Sequence, residues 1–310
     1  MPFSLRKNSN DASVGLDIDG RFLAAAQVKD GRLVRAISAE LPEGVIKDGE
    51  VADSERLVGA LKDFASAANL PKGVHLGVAN QQIVVRVVEL PRIEGEAERE
   101  AAVRFQAAEA IAMPLDDTVL DYQVAGYAEG PDGTPRMQVV LVAARRKMIE
   151  QLTAAVKEAG LKAEGIDLDA FALVRTLVPE EDAATEDSSR VYVHLGGITN
   201  LAVAVGNVCF FARPLSAVWT EPDASSLLAD EIRLSIDYYM AQPRAKSVGQ
   251  VVLSGPGSSD DELTSQLGME VGLPVEVAGP LGSLDSSALA PDDDPRRYTV
   301  AAGLSLGAAA

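Results

Sequence analysis

The chain has 310 residues, of which 47% are apolar, 24% charged and 5% aromatic, and its formal net charge is −18. That is core-forming material for one bilobed domain or two to three smaller ones, built mainly from Val, Leu, Ile and Ala. The acidic surface argues against general binding to nucleic acid or to anionic membranes. One cysteine, Cys209, excludes a disulfide scaffold, and two histidines, His75 and His194, exclude a His-rich zinc centre. No G-x-x-x-x-G-K-[ST], H-E-x-x-H or G-x-S-x-G occurs, so any chemistry falls to carboxylates and backbone amides. Met1 to Asn10 lacks a signal-peptide core, and the longest nearly apolar run, Leu201 to Ala212, is too short to span a bilayer. A cytosolic protein is expected.

In chain order, Val14 to Gly20, Phe22 to Val28 and Leu33 to Ile37 read as a strand meander with an Asp30-Gly31 turn. Asp53 caps a predicted helix whose apolar face is Leu57, Leu61, Phe64 and Ala68. Val74 to Ala79 and Ile83 to Leu90 read as strands completing an α/β unit. From Pro91 the texture changes. Glu94 to Ala112 predicts a helix with the stripe Ala97, Ala101, Phe105, Ala108 and Ala112; strands follow at Val119 to Val124 and Met137 to Ala143, then a helix carrying Ile149, Leu152 and Val156. Helix, two strands and helix make an α+β module that reads as inserted. After a helical segment at Ala170 to Leu177, the acidic stretch Pro179 to Ser189 reads as a solvated linker. Strands at Val191 to Val205 and Val208 to Ala212 come next. A helix capped by Asp223 carries Leu228, Ile232, Ile236 and Tyr239; Val251 to Leu253 then runs into Gly255-Pro256-Gly257. A helix through Leu263 and Leu267, a strand Val275 to Val277 and a helix from Thr299 to Ala308 close the chain.

Two glycine hairpins align. Leu16-Asp17-Ile18-Asp19-Gly20 matches Val193-His194-Leu195-Gly196-Gly197, and Ala24 to Val28 matches Leu201 to Val205. Tight turns of this kind present unshielded N–H groups, and two facing each other would grip a polyphosphate. The Gly255 turn would let a base lie against the backbone. Each hairpin alone is equally an ordinary sheet turn, but the order hairpin, insert, hairpin, long helix, strand–GxG–helix resembles the ground plan of the actin, sugar kinase and Hsp70 group.

Leu90-Pro91, Phe105-Gln106-Ala107-Ala108-Glu109, Met113-Pro114-Leu115-Asp116-Asp117, Leu120-Asp121-Tyr122-Gln123-Val124, Asp167-Leu168-Asp169-Ala170-Phe171 and Glu231-Ile232-Arg233-Leu234-Ser235-Ile236-Asp237-Tyr238-Tyr239 resemble the PilM family of type IV pilus assembly proteins, as does the opening Phe3 to Lys7. The resemblance implies an α/β, bilobed actin-like (ribonuclease H-like, duplicated) fold related to FtsA. It places residues 1–89 and 164–186 in lobe I, 90–163 in an inserted α+β subdomain of SHS2 type, and 187–310 in lobe II. It also implies a cytoplasmic scaffold at the inner face of the membrane, in a pilus or related type II secretion platform, that binds the cytosolic N-terminal tail of a bitopic PilN-like protein. Phe105, Ile111, Val140, Arg145 and Arg146, with Lys147 beside them, are the candidate partner-binding residues.

The candidate nucleotide site comprises Asp17, Asp19, Gly20, Gly196, Gly197, Thr199, Asp230, Arg233, Gly255 and Gly257, with Asp17 as a candidate Mg ligand through water and no catalytic residue assigned. The chain departs from the family pattern Asp-x-Gly-Ser-Ser with a following Lys: Asp19 holds the glycine position, Gly20 and Arg21 the hydroxyl positions, Ala24 the Lys position, and His194 replaces the second loop's Asp. A negative Asp19 beside a triphosphate is repulsive, and loss of Lys, Ser and Asp removes charge stabilisation for phosphoryl transfer. ATP with Mg, bound with weak or no hydrolysis, and a fully degenerate site without cofactor both stay open. So do an active ATPase or phosphotransferase and an FtsA-like division protein, although Gly303 to Ala310 holds no basic amphipathic segment. Several of these residues also have plain structural readings. Asp17 can cap its own turn, Thr199 can serve only its strand, and Asp230 and Arg233 can form an i,i+3 surface pair. Phe105 or Ile111 can fill the module's core, Cys209 reads as a packed thiol, and Trp219 reads as a loop staple or a partner anchor.

Overall fold

The computed structural model describes residues 13–179, 188–287 and 289–308. Residues 180–187, the body of the predicted linker, and Phe3 to Lys7 lie outside the described residues.

The chain opens with strands β1 (Val14–Ile18), β2 (Phe22–Lys29) and β3 (Arg32–Glu40), a small hairpin β4 (Ile46–Lys47) and β5 (Glu50–Val51), helix α1 (Ser54–Ala67) and strand β6 (Gly73–Val78). Asp53 does cap α1, accepting the Arg56 amide at 3.0 Å. Next come β7 (Val84–Pro91), α2 (Glu96–Ala110), β8 (Thr118–Glu129), β9 (Pro135–Arg145), α3 (Arg146–Glu158), β10 (Lys162–Leu168) and α4 (Asp169–Leu177). The second half holds β11 (Ser189–Leu195), β12 (Thr199–Val205), β13 (Val208–Pro214), α5 (Ala224–Met240), β14 (Val248–Ser254), α6 (Asp261–Glu270), β15 (Val275–Val277) and α7 (Thr299–Gly307).

The duplication is present in the sheets. The first has the order β10-β6-β1-β2-β3 and the second β15-β14-β11-β12-β13, element for element the same. In each, the middle strand is antiparallel to its hairpin mate and parallel to the strand on its other side; Val14 lies opposite Val74 as Val191 lies opposite Val251. These middle strands are buried on both faces and are accordingly mostly apolar, with buried polar exceptions that include Asp17 and His194 near their ends. The alignment needs one correction. Asp17 pairs with Ala24 but His194 pairs with Asn200, so the second turn is one residue tighter and Ala24 corresponds to Asn200, not Leu201.

On the first sheet, Leu57, Leu61 and Phe64 of α1 and Ile149, Leu152 and Val156 of α3 cover one face. Helices α4 and α7 lie on the other, where Ala172 meets Val300 and Leu304. On the second sheet α5 and α6 cover the outer face. Its inner face, with Tyr192, Ala202 and Val252, packs on Ala170, Leu173, Val174 and Leu177 of α4.

Strands β7, β9 and β8 form a separate antiparallel sheet in that order, with α2 over one face through Val103, Ala107 and Ile111. Three sequence expectations change here. Strand 84–91 belongs to this small sheet rather than to the preceding α/β unit, so the module's sheet starts before residue 90. Helix α3, expected within the module, packs with α1 on the first sheet. The helix α7, expected in the second lobe, lies across β1 and β2, and Leu281 and Tyr298 join it there. None of these is local information: each depends on which sheet offers a bare face. Two smaller corrections concern helices. The stripe Ala97, Ala101, Phe105, Ala108, Ala112 faces outward, and Asp223 precedes α5 in the left-handed region (φ 61°) without capping it. Strand β7 also runs beside β13, where Arg244 bridges to Glu89 at 2.8 Å and lies 3.1 Å from the Glu129 carbonyl. Among the described residues no helix is long and apolar enough to cross a membrane.

Gly15 lets α7 touch β1: a Cβ there would lie 2.0 Å from the Ala301 carbonyl oxygen and 2.7 Å from the Leu304 Cβ. Gly15→Ala should therefore destabilise the protein by about 1–3 kcal/mol in urea unfolding. Gly59, in α1 with open space around it, supplies the control: Gly59→Ala should stabilise by about 0.5–1 kcal/mol.

Candidate functional site

The two glycine turns face each other, and the group between them is the protein's own. Strand β1 ends at buried Ile18, and the chain turns through Asp19, Gly20 (φ 90°) and Arg21. The amides of Arg21 and Phe22 both donate to Asp19 Oδ1 at 2.9 Å, and the amide of Gly197, on the opposite turn, donates to Asp19 Oδ2 at 2.7 Å. Hydrogen bonds to a charged acceptor contribute about 1.5–3 kcal/mol each. Burial raises the Asp19 pKa, and these three amides pull against the rise. The sequence expectation of amides aimed at an anion is met, but the anion is Asp19. A Cβ at Gly197 would lie 2.5 Å from the Asp19 carbonyl oxygen, which is why that turn carries glycine.

Behind this turn lie two more acids. Asp17 points to the face of β1 covered by α4 and α7 and is 1% exposed; neither carboxyl oxygen makes a hydrogen bond of normal geometry. Its pKa is raised well above the usual carboxylate range by burial first, then by Asp169 and Asp19. Asp169, the first residue of α4, rests on Gly77, where a Cβ would come within 2.2 Å of its Oδ1. Burial, then Asp19 and Asp167, push it up to about 8. Sequence reading missed Asp169, since only the fold carries the start of α4 to the end of β6. Across the cleft, His194 is buried; its Nδ1 lies 3.2 Å from Ser254 Oγ and its Nε2 is unpaired. Burial lowers its pKa to about 4, so the ring is neutral at physiological pH.

The third turn is filled too. Gly255 (φ 84°) packs on the Leu195 backbone, and a Cβ at Gly257 would lie 2.6 Å from the Trp219 ring. The indole thus lies where a base was expected, and its Nε1 donates to the Gly196 carbonyl at 2.7 Å. The Arg21 guanidinium sits 5.9 Å from the ring centre. Glu231 holds the loop before Trp219: it accepts from the Ser216 and Ala217 amides at 3.0–3.1 Å and pairs with Arg213 at 3.0 Å. Trp219 is therefore the staple that one sequence reading allowed.

Thr199 is buried at the start of β12, with its carbonyl accepting the Leu215 amide at 2.8 Å. Asp230 and Arg233 do not join the cleft. They pair with each other on the surface of α5, and Arg233 also donates to the Glu270 carbonyl at the end of α6. The residues around the cleft do not fit a magnesium–nucleoside triphosphate in this arrangement. Asp19 already holds the amide cradle and Trp219 the glycine seat, so the groups that would receive a phosphate and a base are taken. Among the described residues no three His, Cys, Asp or Glu side chains converge on a metal-sized point.

The candidate partner residues separate by exposure. Phe105 is 70% exposed on the outer face of α2, whereas Ile111 and Val140 are buried, one under α2 and the other toward the first sheet's core. Val140 lies on β9, the centre of its sheet, so no partner strand can pair there. Arg145 is exposed; Arg146 donates to the Thr118 carbonyl at 2.8 Å and to the Asp116 carbonyl at 3.4 Å, tying α3 to the start of β8. Sequence reading missed the outer edge of β8, which pairs only with β9 among the described strands, and Tyr127 upon it, 60% exposed with Arg92 at 4.7 Å.

Asp169 generates a pH prediction. Its pKa of about 8 lies above the ordinary 3.8, so between those values the unfolded chain holds fewer protons and stability falls as pH rises. Asp169→Asn should match wild type near pH 4 and exceed it by about 1–3 kcal/mol at pH 8 in urea unfolding.

A family model for the type IV pilus assembly protein PilM matches residues 15–205, more than half of the chain. Among solved structures, the PilM-PilN type IV pilus biogenesis complex is similar at a TM-score of 0.80 and 22% identity, covering 97% of this chain and 100% of that one. The cytoplasmic domain of EpsL, an inner-membrane component of the type II secretion system of Vibrio cholerae, is similar at a TM-score of 0.51 and 14% identity, covering 95% and 93%. MreB5 of Spiroplasma citri, solved bound to ADP, is similar at a TM-score of 0.51 and 11% identity, covering 96% of each chain. These likenesses, with the matching strand orders of the two sheets, show an actin-like ATPase fold. With the family model running from the first glycine hairpin through the second, the chain belongs to the PilM family of type IV pilus assembly proteins.

Proposed function

We propose that this protein is a cytoplasmic scaffold of a type IV pilus assembly platform, held at the inner face of the membrane by the cytosolic N-terminal tail of a PilN-like bitopic protein. The observation that carries the reading is the likeness of 97% of the chain to the PilM-PilN complex, joined to the family match. We read residues 84–145 as an inserted docking subdomain of SHS2 type in the first lobe. Its open β8 edge would bond to an extended peptide backbone, and Phe105 and Tyr127 would offer apolar anchors. Arg145 adds positive charge to an acidic protein and would steer a carboxylate-bearing tail.

A PilN-tail peptide should bind the wild type in calorimetry. Phe105→Asp or Tyr127→Asp should weaken it by about tenfold or more. Arg145→Glu is the cleaner charge test, because Arg146 is tied into the fold. No binding by the wild type would remove the partner assignment, and undiminished binding by all three variants would remove the docking site.

We also propose that ATP turnover is weak or absent. Neutral His194 lacks the negative charge with which a carboxylate would hold a metal-bound water network, and the amides that would steady developing phosphate charge are held by Asp19. Steady-state assays should give a rate far below about 1 s⁻¹, and a rate at or above that would refute this part of the reading.

A further inference from the structure

We propose that Asp19 and Trp219 together act as a built-in ligand, occupying from within the seat that a nucleotide fills on this fold and holding the two halves together without one. The inference stands on geometry and does not depend on the partner reading. The Asp19 carboxylate accepts two amides from its own turn and one from the opposite turn, with each oxygen used. That is the contact pattern of an anion gripped by two phosphate loops, supplied by a buried side chain. The indole of Trp219 lies close enough to Gly257 that even a methyl group there would collide with it, and its N–H donates to the Gly196 carbonyl. Arg21, two residues after Asp19, approaches the Trp219 ring. One acidic and one aromatic group, each bonded to glycine-turn backbone, reproduce the phosphate and base ends of a nucleotide.

Another feature agrees. Asp17 and Asp169 behind the turn are deeply buried and driven toward their protonated forms, so Asp19 is the acid that the turn amides satisfy.

The first test uses the protein unaltered. In nucleotide-free wild type, the Gly197, Arg21 and Phe22 amides should exchange slowly with solvent, protected by the carboxylate. Exchange of the Gly197 amide at the unprotected rate would overturn the proposal. The second test titrates ATP and inorganic pyrophosphate, each with and without Mg²⁺, by calorimetry. Wild type should show no saturable binding up to millimolar ligand. Asp19→Gly, which empties the cradle, should gain pyrophosphate binding at least about tenfold tighter than wild type, and Asp19→Gly with Trp219→Ala should extend the gain to ATP. Sub-millimolar ATP binding by wild type, or folded variants with no gain, would overturn it. Should the glycine variant fail to fold, Asp19→Asn replaces it: faster exchange of the Gly197 amide than in wild type supports the contact, and unchanged exchange refutes it.

Discussion

Helix α4 is buried on almost every side, because both sheets of the molecule use it. Ala170, Leu173, Val174 and Leu177 pack on the second sheet, while Ala172 meets α7, which lies on the first. The α4–α7 approach is close enough that a Cβ at Gly303 would sit 2.0 Å from the Ala172 carbonyl oxygen. Close-packed interiors do not deform continuously, so this contact sets how the two halves lie against each other. With that placement given, the two glycine turns come within a single side chain of each other, and Asp19 can reach Gly197. The same placement takes the start of α4 to the end of β6, which puts the Asp169 carboxyl near Asp17 with both side chains buried.

That pair shows how burial changes what a charge means. In the sequence, Asp17, Asp19 and Asp169 are three acids of one kind. In the fold, Asp19 is supplied with amide donors and functions as an acceptor, whereas Asp17 and Asp169 have almost none and are driven toward their protonated forms. His194, beneath Ser254, is driven the other way, toward neutrality. The cleft therefore holds far less charge at neutral pH than its residues suggest.

Much of the architecture was legible from residue order. The repeated strand–glycine turn–strand pattern is a local signal, and it correctly foretold two sheets of matching design. Residues such as Leu57, Leu61 and Phe64 declare a helix face because they are large and periodic. The outer face of α2 misled for the opposite reason: Ala97, Ala101 and Ala108 carry too little apolar area to say which side is inward, and Val103 and Ala107 took the core. The positions of α3, α7 and β7 were illegible, since each depends on a face or edge made by distant segments. At the site, Asp19 was read by its sign, as a residue repelling phosphate, when its geometry makes it the bound group. Trp219 was legible as a loop staple but not as the occupant of the Gly257 seat, and Asp169 gave no pattern at all, as the loop held by Glu231 and the Gly77 seat exist only after folding.

The neighbouring runs of β7 and β13, fastened by Arg244 to Glu89 and to the Glu129 carbonyl, have a mechanical consequence. The small sheet is attached to the second half through this seam and continues by chain into the first half at both of its ends. A pull along β8 runs parallel to its axis, so the β8–β9 hydrogen bonds share the load in shear instead of opening one after another like a zip. The tension then divides between two anchorages, one covalent into the first sheet and one noncovalent onto the second.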